Sequence, residues 1–267
     1  MAESAKDIVM HNIKKEIMLD LLAKGQRIDN RAFDEYRPIS VKKGVIDSAE
    51  GSALAKIGKT QILVASKIAL ATPFLDRPTE GIFSVNCEFL PLACPTFEPG
   101  PPDEDSIELA RITDRGIRSA EVEGDNNIIA NFFIEEGKVL ALYLDIYVLD
   151  HSGNMTDASS LAAVSALADT NIPKYSEGAL IRDEFSGKIE LKNFPIATTF
   201  AKIDKYILVD PTKEEMLAAD TSITINTTQN GHIAAIQKGK GTLNKDEVME
   251  AVDIAFKKSA ELRKYAL

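Results

Sequence analysis

The sequence predicts an α+β fold in two lobes, on three observations. Strand-like runs followed by a helix occur twice over, an Asn-Gly turn joins two alternating segments late in the chain, and 267 residues at 45% apolar content can bury more than one small core. Runs of strands that end in a helix argue against a parallel doubly wound sheet, where strands and helices alternate one by one.

The elements follow in order. Residues 4–24 form an amphipathic pattern, with Ile8, Val9, Ile13, Ile17, Leu21 and Leu22 at helical spacing and Gly25 as a stop. From 36 to 71 the chain alternates and is rich in β-branched residues; a hairpin pairing 52–57 with 61–68 is expected across Gly58-Lys59. A strand over 82–90 leads into 91–102, where five prolines demand an irregular loop. A helix over 103–121 begins with Asp103, Glu104 and Asp105, placed where the positive end of the helix dipole favours anions. Strands over 127–135 and 139–149 meet at Glu136-Gly137-Lys138, and a small-residue helix over 157–169 ends before Pro173.

The second half repeats the scheme. Hairpins are expected from 196–202 with 206–210, and from 222–227 with 232–237 across Asn230-Gly231. A last amphipathic helix over 244–265 sets Val248, Val252, Ala255, Phe256 and Leu262 on one face, with Asn244 as its cap. The lobes are expected at 1–178 and 179–267.

Charge and composition narrow the function. A formal net charge of −10 opposes a self-sufficient nucleic-acid binder, which normally carries a basic surface that displaces counterions from phosphates. Any such contact must be local or completed by a partner. The N-terminal segment lacks a basic stretch followed by an apolar one, and no run approaches the roughly 18 uncharged apolar residues of a membrane span, so a cytoplasmic protein without membrane contact is expected. Cys87 and Cys94, seven apart, fit neither a zinc knuckle nor a redox pair and are expected to be buried apolar residues. No metal or cofactor site is expected.

Several motifs are incomplete. Gly58-Lys59-Thr60 lacks the glycine five residues earlier that a P-loop needs; Ala53 stands there. Gly239-Lys240-Gly241 precedes the last helix without a βαβ unit and reads as a basic loop. Asp150-His151-Ser152 cannot form a triad, because neighbouring strand residues point to opposite faces. His11 and His232 are isolated.

One helix carries more. Arg111, Arg115 and Arg118 fall at i, i+4 and i+7 and share a face that could grip successive phosphates. Against this, Glu108 could pair with Arg111 and Asp114 with Arg118, leaving a solvated face of intrahelical ion pairs. Where the strand ends near Leu149, the following helix would offer its amides to an anion, but Asp157 is the candidate cap and no Arg or Lys lies between Asp150 and Asn171.

Four motifs in order resemble the RNase PH family, and within it the non-catalytic RNase-PH-like subunits of the archaeal exosome. They are Gly25-Gln26-Arg27-Ile28-Asp29-Asn30-Arg31 with Arg37-Pro38, the stretch from Gly51 to Thr60, the stretch from Glu108 to Arg118, and the stretch from Ala162 to Pro173. The resemblance implies an RNase PH fold, with a ribosomal-protein-S5-like first lobe and a smaller α+β second lobe, assembled into a hexameric ring. It implies three heterodimers with a catalytic RNase-PH-like subunit, RNA-binding cap subunits, and phosphorolysis of single-stranded RNA from its 3′ end. Active relatives hold phosphate with a Ser or Thr followed by Arg; here those places are Met155 and Thr156. They also carry an aspartate pair, matched here by Asp220 and by Glu214 or Glu215. The resemblance therefore implies no catalytic residue and an inactive chain when alone, with Arg111, Arg115 and Arg118 as RNA contacts. The competing expectation is a phosphorolytic exoribonuclease that uses Asp220.

Overall fold

The computed structural model describes residues 15–122 and 127–267. The expected residues Ile8, Val9, His11 and Ile13 lie outside them. Residues 15–23 are helical (α1), and Gly25 ends the helix at φ +72, its N–H donating to the Leu22 carbonyl at 2.9 Å. Met18 and Leu22 are the buried residues of α1, packed on Ile203, Leu208 and Ala218, whereas Ile17 is exposed. The expected face is thus rotated: the side that meets the second lobe decides which apolar residues are covered.

The first sheet is mixed. Its order is β1 (Ile39–Lys43), β2 (Gly51–Ile57), β3 (Thr60–Ala71), β6 (Lys138–Asp150), β4 (Ile82–Phe89), with β5 (Phe133–Glu135) also paired to β6. All pairs are antiparallel except β4 with β6. The β2–β3 hairpin turns at Gly58-Lys59 as expected, with Gly58 at φ +59. The strand expected over 127–135 shrinks to β5. Asn127 Oδ1 accepts from the Ile129 N–H at 2.9 Å, an Asx turn that competes with strand pairing.

Helix α2 (Glu104–Ile117) continues as a π turn, Arg118–Val122. Helix α3 (Met155–Asp169) is the centre of the molecule: Ala158, Leu161, Ala162, Ala163, Val164, Ala166 and Leu167 are all fully buried. It is covered by β2 and β3 on one side and by β9 and α5 on the other. Small residues allow this double burial. At Gly51 of β2, an added Cβ would lie 2.6 Å from the Ala166 carbonyl and from Thr170 Oγ1.

After α3, β7 (Asn171–Ser176) and β8 (Ala179–Lys188) form a separate two-stranded ribbon that the sequence reading did not contain. Its turn is Glu177-Gly178, both at positive φ (52 and 85), the geometry of a primed turn without the usual Asn or Asp at the first place. The expected division between 178 and 179 falls at this turn. Buried Glu50, between β1 and β2, accepts from Arg182 and tethers the ribbon to the first sheet.

The second sheet has the order β10 (Tyr206–Val209), β9 (Ile196–Ile203), β11 (Thr221–Thr227), β12 (Ile233–Lys238), all antiparallel. Both expected hairpins are present. Asn230-Gly231 belongs to a three-residue loop in which only Gly231 has positive φ (79) and the Thr228 N–H bonds to the His232 carbonyl at 2.8 Å. Helix α4 (Lys213–Ala218), also unforeseen, carries a capping box of Thr212 and Glu215. Helix α5 (Lys245–Ala266) is capped by Asn244 as expected and covers the sheet with Ala251 and Ala255.

Candidate nucleic-acid interface

Asp103 caps α2 through Oδ1, which accepts the Ser106 N–H at 2.8 Å. The inner side of the helix is Leu109, Ala110, Thr113, Gly116 and Ile117. Gly116 allows close approach to β11: a Cβ there would lie 2.7 Å from Asn226 Oδ1. The outer side carries Arg111 and Arg115, both exposed, and half-buried Arg118. With Ser84 of β4 and Ala235 of β12, these three line one groove of about 650 Å³.

The three arginines are brought together in unequal states. Arg118 donates from Nε and Nη2 to the Asp114 carboxylate at 2.9 and 2.8 Å, and from Nη2 to the Phe83 carbonyl at 2.9 Å. Its guanidinium also sits 5.3 Å from the centroid of the Phe83 ring. Arg111 and Arg115 make no ion pair among the described residues. Glu108, expected to reach Arg111, instead accepts a hydrogen bond from Gln237 Nε2 of β12 at 2.8 Å. The groove therefore exposes two forked donors whose charge is not matched by an ion pair.

The start of α3 departs from expectation. Its cap is Asn154, in the left-handed region at φ 50, whose Oδ1 accepts from the Asp157 N–H at 3.3 Å. Asp157 turns inward and is fully buried, where it accepts from Tyr36 Oη (2.6 Å), Asn154 Nδ2 (2.8 Å), Thr199 Oγ1 (2.7 Å) and the Thr199 N–H (3.0 Å). Burial raises its carboxyl pKa to about 6, with those hydrogen bonds partly opposing the rise. Asp157 is therefore a strut between the lobes and does not cover the helix amides. What meets the helix end is α4: the Asn154 N–H points at Met216 Sδ, 3.2 Å away, and the Lys213 N–H bonds to the Ser152 carbonyl at 3.2 Å.

Beside that end lies a buried ion network that sequence reasoning missed. Asp210 accepts from Arg37 Nε (2.8 Å) and Nη2 (2.7 Å), Arg31 Nη1 (3.1 Å) and Asn154 Nδ2 (2.8 Å). Glu215 takes Arg27 through Nε and Nη2 at 2.9 and 2.6 Å. Three arginines at 27, 31 and 37, ahead of the first strand, were the available signal. The carboxylates matched to the aspartate pair are dispersed in role: Glu215 is buried against Arg27, Glu214 is exposed, and Asp220 pairs with Lys15 and accepts the Asp204 N–H at 2.7 Å. The Lys15 hydrogen bond holds the Asp220 carboxyl below the usual range.

His151 stacks on Phe97 with ring centroids 5.7 Å apart, and its Nδ1 accepts from the Gly153 N–H at 3.4 Å. Cys87 is buried as expected, its thiol pushed up to about 12 by burial. Cys94 is also buried but is not an inert apolar residue. Lys213 Nζ lies 3.0 Å from its sulfur and Thr96 Oγ1 3.2 Å, and these outweigh burial to bring the thiol down to about 7. Among the described residues, no helix is long and apolar enough to cross a membrane.

Comparison with known proteins bears on the family and the fold. Residues 35–173 match the family model for domain 1 of the RNase PH 3′ exoribonucleases, and residues 193–258 match domain 2. The exosome complex component Rrp42 of Pyrococcus horikoshii is 45% identical over 265 residues, which cover 97% of this chain and 95% of that protein. A chain from the Archaeoglobus fulgidus exosome with RNA bound to the active site superposes with a TM-score of 0.86 at 41% identity, covering 96% of this chain and 98% of that one. A chain of an archaeal exosome core gives 0.84 at 37% identity, with 97% and 98% covered.

Proposed function

Since this chain belongs to the RNase PH 3′ exoribonuclease family along both of its domains, we propose that it is the non-catalytic, RNA-positioning subunit of an archaeal exosome. In this reading it pairs with a catalytic RNase-PH-like subunit in the cytoplasm. Three such pairs close a ring, and RNA-binding cap subunits cover one face. The ring shortens single-stranded RNA from its 3′ end: inorganic phosphate attacks the terminal phosphodiester and a nucleoside diphosphate leaves.

The observation that carries the proposal is the state of Arg111 and Arg115. Both are exposed on one groove without an ion pair among the described residues, whereas the neighbouring arginine is held by Asp114. Two exposed guanidinium forks suit consecutive phosphates of a strand, and they make a local basic site on a chain whose net charge is −10. Arg118 lines the same groove and steadies it through Phe83 and Asp114.

Inactivity of the chain alone is supported by the start of α3. Met155 and Thr156 stand where relatives carry a Ser or Thr and an Arg, and Met216 and the Asp210 network occupy the space beside the helix amides. Asp220, already bound by Lys15, has no phosphate nucleophile to assist.

The test is release of nucleoside diphosphate from a 3′ single-stranded RNA by the pure chain, then by the chain with its catalytic partner. Silence alone and activity together are expected. Phosphate-dependent activity of the pure chain would overturn the reading in favour of an exoribonuclease that uses Asp220.

A further inference from the structure

The outer face of α2 carries two carboxylates among its arginines, and each is occupied. Asp114 is gripped on both oxygens by Arg118. Glu108 stands three residues before Arg111, the spacing of a helical ion pair, yet its carboxylate is bonded to Gln237 Nε2 at 2.8 Å. Ionised Glu108 can only accept, so the contact requires the amide nitrogen of Gln237. Gln237 is half-buried on β12, which also meets this region where Ser119 Oγ donates to the Ala234 carbonyl at 2.8 Å.

We propose that Gln237 is a positioning residue for RNA binding: it holds Glu108 toward β12 and so keeps Arg111 available to phosphate. This rests on the reading of Arg111 and Arg115 as phosphate contacts. A neutral amide suits the task. A lysine at 237 would hold Glu108 as well but would add its own charge to the groove, and an apolar residue would release the carboxylate. Once released, Glu108 can form the i,i+3 ion pair with Arg111 that the helix spacing permits, and RNA must then compete with it.

The experiment measures equilibrium binding of a labelled single-stranded oligoadenylate to the ring assembled with the catalytic subunit, in buffer without phosphate so that the RNA is not degraded. Four forms are compared with the parent: Gln237→Met, Glu108→Gln, the two combined, and Arg111→Glu with Arg115→Glu. Gln237→Met keeps the side-chain length and removes the donor. It is expected to weaken binding roughly twofold, the scale of an exposed helical ion pair. Glu108→Gln in the same chain is expected to restore parental affinity, because no carboxylate is left to compete.

A loss in Gln237→Met that persists with Glu108→Gln would assign Gln237 a merely structural part in β12 and overturn the proposal. So would parental binding by Gln237→Met while the double arginine variant binds poorly. Parental binding by the double arginine variant would instead remove the phosphate-contact reading itself, and the proposal with it.

Discussion

Arg37 and Asp210, 173 residues apart in sequence, meet as a bidentate pair with both side chains buried, Nε to Oδ2 at 2.8 Å and Nη2 to Oδ1 at 2.7 Å. Arg37 also donates from Nη1 to the Ser152 carbonyl at 2.8 Å and from Nη2 to the Gly153 carbonyl at 3.2 Å. One guanidinium thus joins the segment before β1, the loop before α3 and the end of β10. The loop before α3 is thereby tied to the end of β10 in the second sheet.

Breaking this pair on one side should be costly, because the remaining charge stays buried. Asp210→Ala leaves Arg31 and Arg37 without their shared carboxylate and should lower unfolding free energy by about 3–5 kcal/mol. Denaturant unfolding checks this. Burial alone would raise the Asp210 pKa, but the Arg37 contacts hold it below its ordinary value of 3.8. Its contribution is therefore complete above 3.8 and is lost as pH falls from there through the lower folded value.

Asp157 has the opposite sign. Its folded pKa of about 6 exceeds the ordinary 3.8, so its contribution is complete below 3.8 and is lost as pH rises through 6. The full span is on the order of 3 kcal/mol, of which roughly half separates pH 5 from pH 8. Asp157→Asn loses acceptors for Thr199 and Asn154 and should be less stable throughout. The decisive readout is the slope: the variant should lack the loss of stability that the parent shows between pH 5 and pH 8.

Much of this was legible beforehand, and the failures have local causes. The Gly58 turn, the two late hairpins, the proline loop and the capped last helix follow from turn chemistry and periodicity, and all are present. The β7–β8 ribbon was missed because its Glu177-Gly178 turn lacks the usual first residue, and α4 because six residues show no periodicity. The Asp157 error was one of direction. Asp is a good cap in general, but here the tertiary pull of Tyr36 and Thr199 draws it inward and Asn154 caps instead. The arginine stripe was legible from spacing alone, whereas the bond from Gln237 to Glu108 joins residues 129 apart and no local pattern carries it.

Gly116 should resist substitution even though glycine inside a helix costs roughly 1 kcal/mol relative to alanine. The Cβ of Gly116→Ala would lie 2.7 Å from Asn226 Oδ1 and 2.9 Å from its Cγ. Asn226 is buried in β11 and has little room to retreat. Net destabilisation of about 1–3 kcal/mol is expected, against the gain that helix propensity alone would give. Thermal unfolding gives the sign directly.

The two thiols should titrate far apart. Cys94 should ionise as pH rises through about 7, and Cys87 only near 12. Lys213→Met removes the ammonium that lies 3.0 Å from the Cys94 sulfur and should move the first step toward the ordinary value of 9.0. Thiolate absorbance followed against pH separates the two steps, and a Cys94→Ser chain should lack the first.

The salt dependence of RNA binding tests the interface in a way that affinity alone does not. A strand that gives up counterions to Arg111 and Arg115 contributes about 0.7 per contact to the slope of log affinity against log salt. Replacing both with Met keeps apolar bulk and removes the charge, and should lower that slope by about 1.4. Arg118 is already bound to Asp114, so Arg118→Met should change the slope much less, although losing its bond to the Phe83 carbonyl will loosen the groove. If Arg118→Met lowered the slope by as much per arginine as the double variant does, the ion pair with Asp114 would have to open when RNA binds. An unchanged slope in the double variant would place the phosphates on other cations of the assembly. The expected ordering, large for the pair and small for Arg118, is what a groove with two unpaired forks and one committed one should give.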